Sequence, residues 1–250
     1  MRLCLAFSLA ALLTMTARAP AADWYTGVQG DASAKPAAPT VAIDMALDAT
    51  TQSALAGALI GTIAPFAPLE ESGMRLRVSG ILGKYDYIAS EAGLGRINGT
   101  LEQGSFMVGY EYVTKQATVA GYIGGEVSHT GITPNDPNNT VKGTYAGLKV
   151  GADLYIRPTE ATMIAGVVAY STVNNAYYGR LKFGLAVVNQ IYVGPEILVL
   201  GDNFFHQWRV GAHVSGIKLG MVQLGVSGGF LSDQVRGTGG YGILETRFSF

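Results

Sequence analysis

The sequence predicts an all-β protein, a transmembrane antiparallel up-and-down β-barrel of about 12 strands. Three observations carry that expectation. The chain closes on Gly237 to Phe250, GTGGYGILETRFSF, which alternates in period two. Phe250, Phe248, Thr246, Leu244 and Gly242 fall on one face, and Ser249, Arg247, Glu245, Ile243 and Tyr241 on the other. A strand with an apolar face and charges opposite suits a wall between lipid and a polar lumen. The same alternation recurs from Gly73 onward. The composition is the third observation. Only 14% of residues are charged and the mean hydropathy is +0.26, yet past the N-terminus no clean apolar run is long enough for a spanning helix. A membrane protein without such a helix must satisfy its backbone by closing a barrel.

The elements follow in order. Arg2, then an apolar run from Leu3 to Met15, then Ala19-Pro20-Ala21 read as a secretory signal peptide over residues 1–22, cleaved after Ala21 or Ala22. Losing Arg2 and Arg18 with it lowers Lys plus Arg from 17 to 15 against 18 acidic residues, a mature charge of about −3. That balance argues against a nucleic-acid partner. Cys4 is the only cysteine and lies in the leader, so the mature chain is expected to hold no disulfide and no cysteine metal site.

The mature barrel is expected to span residues 23–250. Trp24 to Gln29 reads as a first strand. Residues 31–71 read as an irregular insertion rich in Ala, Pro and Thr, with Ser53 to Ile63 its best candidate strand. A long loop, a short helix or a lumen plug are the other readings of that segment.

Ten strands follow: Met74 to Gly83, Ser105 to Val113, Thr118 to Ser128, Thr144 to Arg157, Thr162 to Tyr170, Tyr178 to Val187, Gln190 to Leu200, Phe205 to Gly216, Leu219 to Phe230, and the closing strand. Each runs roughly ten residues, enough for a tilted strand to cross a bilayer. The clearest sets Ala146, Leu148, Val150, Ala152, Leu154 and Ile156 against Tyr145, Lys149, Asp153, Tyr155 and Arg157. Short connections such as Arg157-Pro158-Thr159-Glu160 suit periplasmic turns, and longer polar ones, Ser90 to Gly99 and His129 to Lys142, suit extracellular loops. The 13 tyrosines suit membrane interfaces, where an apolar ring needs a wet tip.

If the polar positions point inward, the lumen carries both signs. Its basic set is Arg75, Arg77, Lys149, Arg157, Arg180, Lys182, Arg209 and Arg247, with His213 in the same network. Its acidic set is Glu111, Glu126, Asp153, Glu196 and Glu245. Two readings are open. Buried charges are costly unless paired, so a narrow barrel fills itself with cross-lumen ion pairs. Alternatively, the basic excess together with Tyr145, Tyr155, Tyr192 and Tyr241 binds a polar solute or stacks on a glycan.

Catalytic signals are poor. Ser128-His129 with Glu126 as the orienting acid invites an outer-membrane lipase or protease, but neighbours on a strand point to opposite faces and cannot form a dyad. His129 is expected to end a strand at a loop, His206 to sit at the membrane interface and His213 in the lumen. Their spacing gives no metal site, and no cofactor is expected.

Several pieces, in this order, resemble the BcsS family, outer-membrane proteins associated with bacterial cellulose biosynthesis. They are Trp24-Tyr25-Thr26-Gly27, Lys84-Tyr85-Asp86-Tyr87, Gly109-Tyr110-Glu111-Tyr112, Thr133-Pro134-Asn135-Asp136-Pro137 and Lys142-Gly143-Thr144, then Gly194-Pro195-Glu196, Gly201-Asp202, Arg209-Val210-Gly211 and Gly239-Gly240-Tyr241. The resemblance covers Trp24 to Phe250 except Asp31 to Glu71. A C-terminal Phe also resembles the assembly signal of outer-membrane barrels. The resemblance implies a non-enzymatic barrel in the bacterial cell outer membrane, acting in cellulose biosynthesis and secretion. Its implied partners are outer-membrane lipid and cellulose or the cellulose-secretion machinery, and it carries no catalytic residue. A porin-like channel for small polar solutes is the alternative, and an outer-membrane lipid or glycan hydrolase the third reading.

Overall fold

The structure, a computed structural model, describes residues 39–89, 94–188, 190–219 and 222–250. Twelve strands form one closed antiparallel barrel: β1 (Val41–Thr50), β2 (Ala54–Ile63), β3 (Gly73–Ile88), β4 (Arg96–Val113), β5 (Ala117–Thr133), β6 (Gly143–Thr159), β7 (Thr162–Ser171), β8 (Ala176–Val188), β9 (Ile191–Gly201), β10 (His206–Leu219), β11 (Val222–Asp233) and β12 (Gly237–Ser249). Each pairs with its neighbours in sequence, and β1 closes the ring on β12 from Ala42↔Ser249 to Thr50↔Tyr241. The last residue fastens that seam. The Phe250 amide donates to the Val41 carbonyl (2.9 Å), and the Thr40 amide donates to the Phe250 carbonyl (2.8 Å).

The ten strands expected after Gly73 are all present. The candidate strand at Ser53 to Ile63 is also present, as β2, while β1 at Val41–Thr50 is a strand not expected from sequence. Val41–Ile63 supplies both, so most of the segment read as an irregular insertion is a β-hairpin. The expected strand at Trp24 to Gln29, like the signal peptide, lies outside the described residues. Within residues 41–50 the sequence VAIDMALDAT alternates cleanly, but Ala and Asp are weak strand formers and mask the pattern. The expected loop from Ser90 to Gly99 is also shorter than read, because β4 already begins at Arg96.

The alternation sorts side chains as lipid and lumen require. On β3, Arg75, Arg77 and Ser79 are buried inward while Met74 and Val78 stay exposed outward. Most exposed aromatics lie toward two levels of the outer face, with Phe106 and Phe183 between them. Tyr110, Tyr112, Phe66 and Phe250 ring the end that holds the C-terminus. Tyr170, Trp208 and Phe230 ring the far end, where the last two rings lie 5.6 Å apart. Aromatic girdles flanking an apolar band are the mark of a barrel embedded in a bilayer.

The wall is uneven in height. β3 to β6 run 16, 18, 17 and 17 residues, against 10 for each of β1, β2 and β7. β2 pairs with β3 only as far as Lys84, and β7 reaches β6 only at Lys149. The β3–β6 wall therefore rises beyond its neighbours at the far end, and there its outward residues turn polar: Asn98, Thr100, Glu102, His129 and Thr133 are exposed. Beside it, β7 turns sharply into β8. Asn174 and Asn175 both take positive φ (55° and 51°), and the Ala176 amide closes the turn on the Val173 carbonyl at 3.1 Å. This primed turn matches strand twist and favours Asn.

Loops tuck into both mouths. At the far end, residues 134–142 fold inward and bury Asp136, Asn139 and Val141. The Tyr87 hydroxyl donates to Asp136 Oδ2 at 2.9 Å and accepts from Asn139 Nδ2 at 3.3 Å. Val141 joins an apolar layer with Tyr85, Leu200, Phe205 and Leu231. At the terminal end, residues 64–72 bury Leu69. Arg75 Nη2 holds this loop by donating to the carbonyls of Leu69 (3.3 Å) and Glu71 (2.5 Å).

A charge-filled lumen as the candidate functional site

Every strand turns one row of side chains into the lumen, and the rows are charged where the barrel is crossed by long side chains. Seven cations are buried there: Arg75, Arg77, Lys149, Arg180, Lys182, Arg209 and Arg247. Seven anions meet them in the middle of the barrel: Asp44, Asp48, Glu111, Glu126, Asp153, Glu196 and Glu245. Asp233 at the far mouth faces Arg236 at 3.6 Å, and Glu70, Asp136 and Asp202 are buried in the mouth loops. The basic excess expected from sequence is thus removed by Asp44 and Asp48 together with Arg157, which is only half-buried and stands outside this set. Both aspartates lie on β1, in the segment whose strand character the residues hid. The signal was there: two aspartates four apart share one strand face, with Val41, Ile43, Met45 and Leu47 on the other.

Some pairs join adjacent strands. Arg75 donates to Glu111 Oε1 from Nε (3.2 Å) and Nη2 (2.9 Å), and Lys149 lies 2.6 Å from Glu126. Others are chords across the lumen. Arg77 on β3 reaches Asp153 on β6 at 2.5 Å, Lys182 on β8 reaches Glu245 on β12 at 2.6 Å, and Arg209 on β10 reaches Asp48 on β1 at 2.6 Å. Arg180 is the most connected. It binds Glu196 on β9 through Nε (3.0 Å) and Nη2 (2.7 Å), Ser227 at 2.8 Å, and Glu245 through Nη1. Arg247 sits 3.7 Å from Asp44. A guanidinium's fixed fork suits such multi-partner sites, where each carboxylate must be matched to survive burial.

Neutral groups complete the packing. Tyr241 donates to Glu196 Oε1 at 2.7 Å, and the Arg77 guanidinium stacks 3.5 Å over the Tyr122 ring. That stacking adds cation–π attraction in a dry site. His213 bonds Ser215 Oγ (2.8 Å) and the Phe183 carbonyl (3.1 Å). Arg209 Nε donates to Gln207 (2.7 Å), whose amide donates to Asp233 (2.9 Å), so the network climbs to the far mouth. Two glycines make room for tyrosines. A Cβ at Gly99 would collide with the Tyr85 ring, and one at Gly109 with the Tyr122 ring. The rings lie flat across neighbouring strands because those positions carry no side chain.

Thirteen of the fourteen residues expected in the polar network are buried in the lumen, and Arg157 is half-buried near the terminal mouth. The four tyrosines expected to stack on a glycan divide. Tyr155, Tyr192 and Tyr241 are buried and already covered, while Tyr145 stays 44% exposed on the tall wall. Ser128 is buried inward and His129 exposed outward, so they form no dyad. His129 Nδ1 instead pairs with Thr144 Oγ1 on β6 at 2.8 Å. His206 lies on the outer face near the far girdle, 2.9 Å from the Tyr177 hydroxyl. Among the described residues no three His, Cys, Asp or Glu side chains are grouped to hold a metal.

No curated protein matches the sequence. Among solved structures, the translocator domain of the autotransporter NalP from Neisseria meningitidis is similar at 10% identity and a TM-score of 0.48, with 87% of this chain and 90% of that one covered. The beta domain of the Bordetella autotransporter BrkA gives 13% identity and a TM-score of 0.45, over 85% and 100%. The KdgM porin gives 12% and 0.42, over 84% and 99%. The family model described as cellulose biosynthesis protein BcsS matches residues 41–250, and the chain belongs to that family.

Proposed function

We propose that this BcsS-family barrel is a non-catalytic outer-membrane component of cellulose biosynthesis and secretion that works with a closed lumen. It serves the secretion machinery as a membrane-embedded scaffold and does not pass polymer or solute through its own centre. One observation carries this reading. In the middle of the lumen seven cations are matched by seven anions, partly in pairs between adjacent strands and partly in chords across the lumen, between layers pinned by the two mouth loops. Opening such a lumen would unpair several buried charges at once, each at a cost of several kcal/mol. Family membership supports the link to cellulose, and the girdled apolar band supports the membrane location.

Planar-bilayer recording tests the closed lumen. The purified barrel is expected to insert without a stable large conductance, and a porin-sized open state would overturn the reading in favour of a solute channel. Deleting the gene tests the link to cellulose. Congo red binding and cellulose-dependent biofilm should fall, and unchanged cellulose output would sink it.

A further inference from the structure

Two furrows mark the outer, lipid-facing wall, and they differ in chemistry. The first, about 680 Å³, crosses β1 to β5. Its floor is low because Gly57, Gly80 and Gly104 face outward. Gly80 and Gly104 stand opposite one another in register, and a Cβ on Gly80 would touch nothing within 4 Å. Leu47, Leu59 and Leu82 wall it. At its far-end rim the surface turns polar within one row: Glu102 and His129, register partners, line the furrow directly. Exposed Lys84 stands one row higher on β3, opposite Thr100. The second furrow, about 540 Å³, crosses β5 to β9 over Gly166 and Gly179, and its outward residues are all apolar, such as Leu154, Val168 and Leu181.

Both furrows face lipid, so acyl chains cover both. Only the first meets its occupant with charge. Its volume falls in the range of small-molecule sites, roughly 300–1,000 Å³, and its order of apolar trough then polar rim is that of an amphiphile. The far-end connections are mostly the longer ones, as on the outer side of bacterial barrels. From this geometry we propose that the first furrow is a specific site for a phosphorylated glycolipid of the lipid A class. One acyl chain lies on the glycine floor. Its phosphate is met by the Lys84 ammonium and the free edge of the His129 ring, and its sugar hydroxyls donate to the Glu102 carboxylate. The inference rests on the outer-membrane location proposed above.

The test is native mass spectrometry of the full barrel released from nanodiscs that hold lipid A, phosphatidylglycerol and phosphatidylethanolamine together. The native chain should retain one lipid A, favoured over either phospholipid by about tenfold or more. Gly80→Leu with Gly104→Leu, which fills the trough, should abolish retention. Gly121→Leu, outward on β5 where an added Cβ also meets nothing, should leave it unchanged. Lys84→Gln should weaken retention about fivefold, the effect of one cation at an anionic lipid surface. Equal retention of phosphatidylglycerol, or full retention by the filled variant, would overturn the site. Should the leucine pair fail to fold, an unchanged lipid preference in Lys84→Gln and Glu102→Gln would do the same. A native chain that does not enter bilayers at all would instead sink the outer-membrane reading.

Discussion

The two faces of a single strand obey different rules here. On β3, Arg75 and Arg77 each have assigned partners, Glu111 and the loop carbonyls for one, Asp153 and the Tyr122 ring for the other. Between them Leu76, and beyond them Val78, face outward, the one half-buried and the other exposed. Inside, identity is specified atom by atom, because an unmatched charge in a dry lumen is expensive. Outside, only hydropathy is specified, because lipid tails accept any apolar shape. A fold can therefore tolerate wide change on one face while fixing the other, and the furrow over Gly80 and Gly104 stands out because it breaks the outer rule.

Substitutions that break this contrast rank by size. The largest effect is expected inside. Arg77→Ala strands Asp153 and uncovers Tyr122, at a cost of about 3–5 kcal/mol. Urea unfolding in bilayers measures it, and the double variant Arg77→Leu with Asp153→Leu should recover most of the loss. A recovery below a third of the loss would mean that packing, not pairing, dominates. Next comes a charge on the wrong face. Val150→Arg, outward on β6, should cost about 2–4 kcal/mol if it sits near the bilayer midplane. Val150→Leu should be close to neutral, and equal losses would refute a lipid-facing position. Third, Gly109→Ala drives a Cβ into Tyr122 and the Gly121 carbonyl, and should cost about 1–3 kcal/mol. Gly80→Ala on the outer face should cost no more than a few tenths, as an exposed change away from special features.

The smallest effect lies outside the membrane band, in the terminal-mouth loop. Burial first, and the neighbouring Glu71 charge second, push the Glu70 carboxyl up to about 7 from its ordinary 4.5. A carboxyl raised on folding binds its proton more tightly in the folded state. Its stabilising contribution is full below pH 4.5 and is lost as pH rises through about 7. Hydrogen exchange at Leu69 and Glu71, corrected for intrinsic rates, should show more protection at pH 5 than at pH 8. Glu70→Gln should flatten that difference, and a difference that persists would assign it to another group.

Much of this molecule is legible in its sequence. Ten strands, their facing and the closing role of the C-terminal strand follow from period-two alternation, because a strand between lipid and a polar lumen must alternate. The apolar faces of β3, β6 and β10 could be read directly. β1 could not, since Ala and Asp mimic a linker, and with it Asp44 and Asp48 dropped out of the charge count. That omission turned a balanced lumen into an apparently basic one.

What the sequence determined by itself was the class of the fold and, outside β1, which residues face inward, because facing is a local property of the pleat. Only the tertiary structure decided who pairs with whom. Arg209 and Asp48 lie 161 positions apart and meet only because β12 closes on β1. Whether inward tyrosines lie open or covered was decided in the same way, by what stands across the lumen. Closure brings distant strands face to face, and no periodicity along one strand records its partner across the barrel.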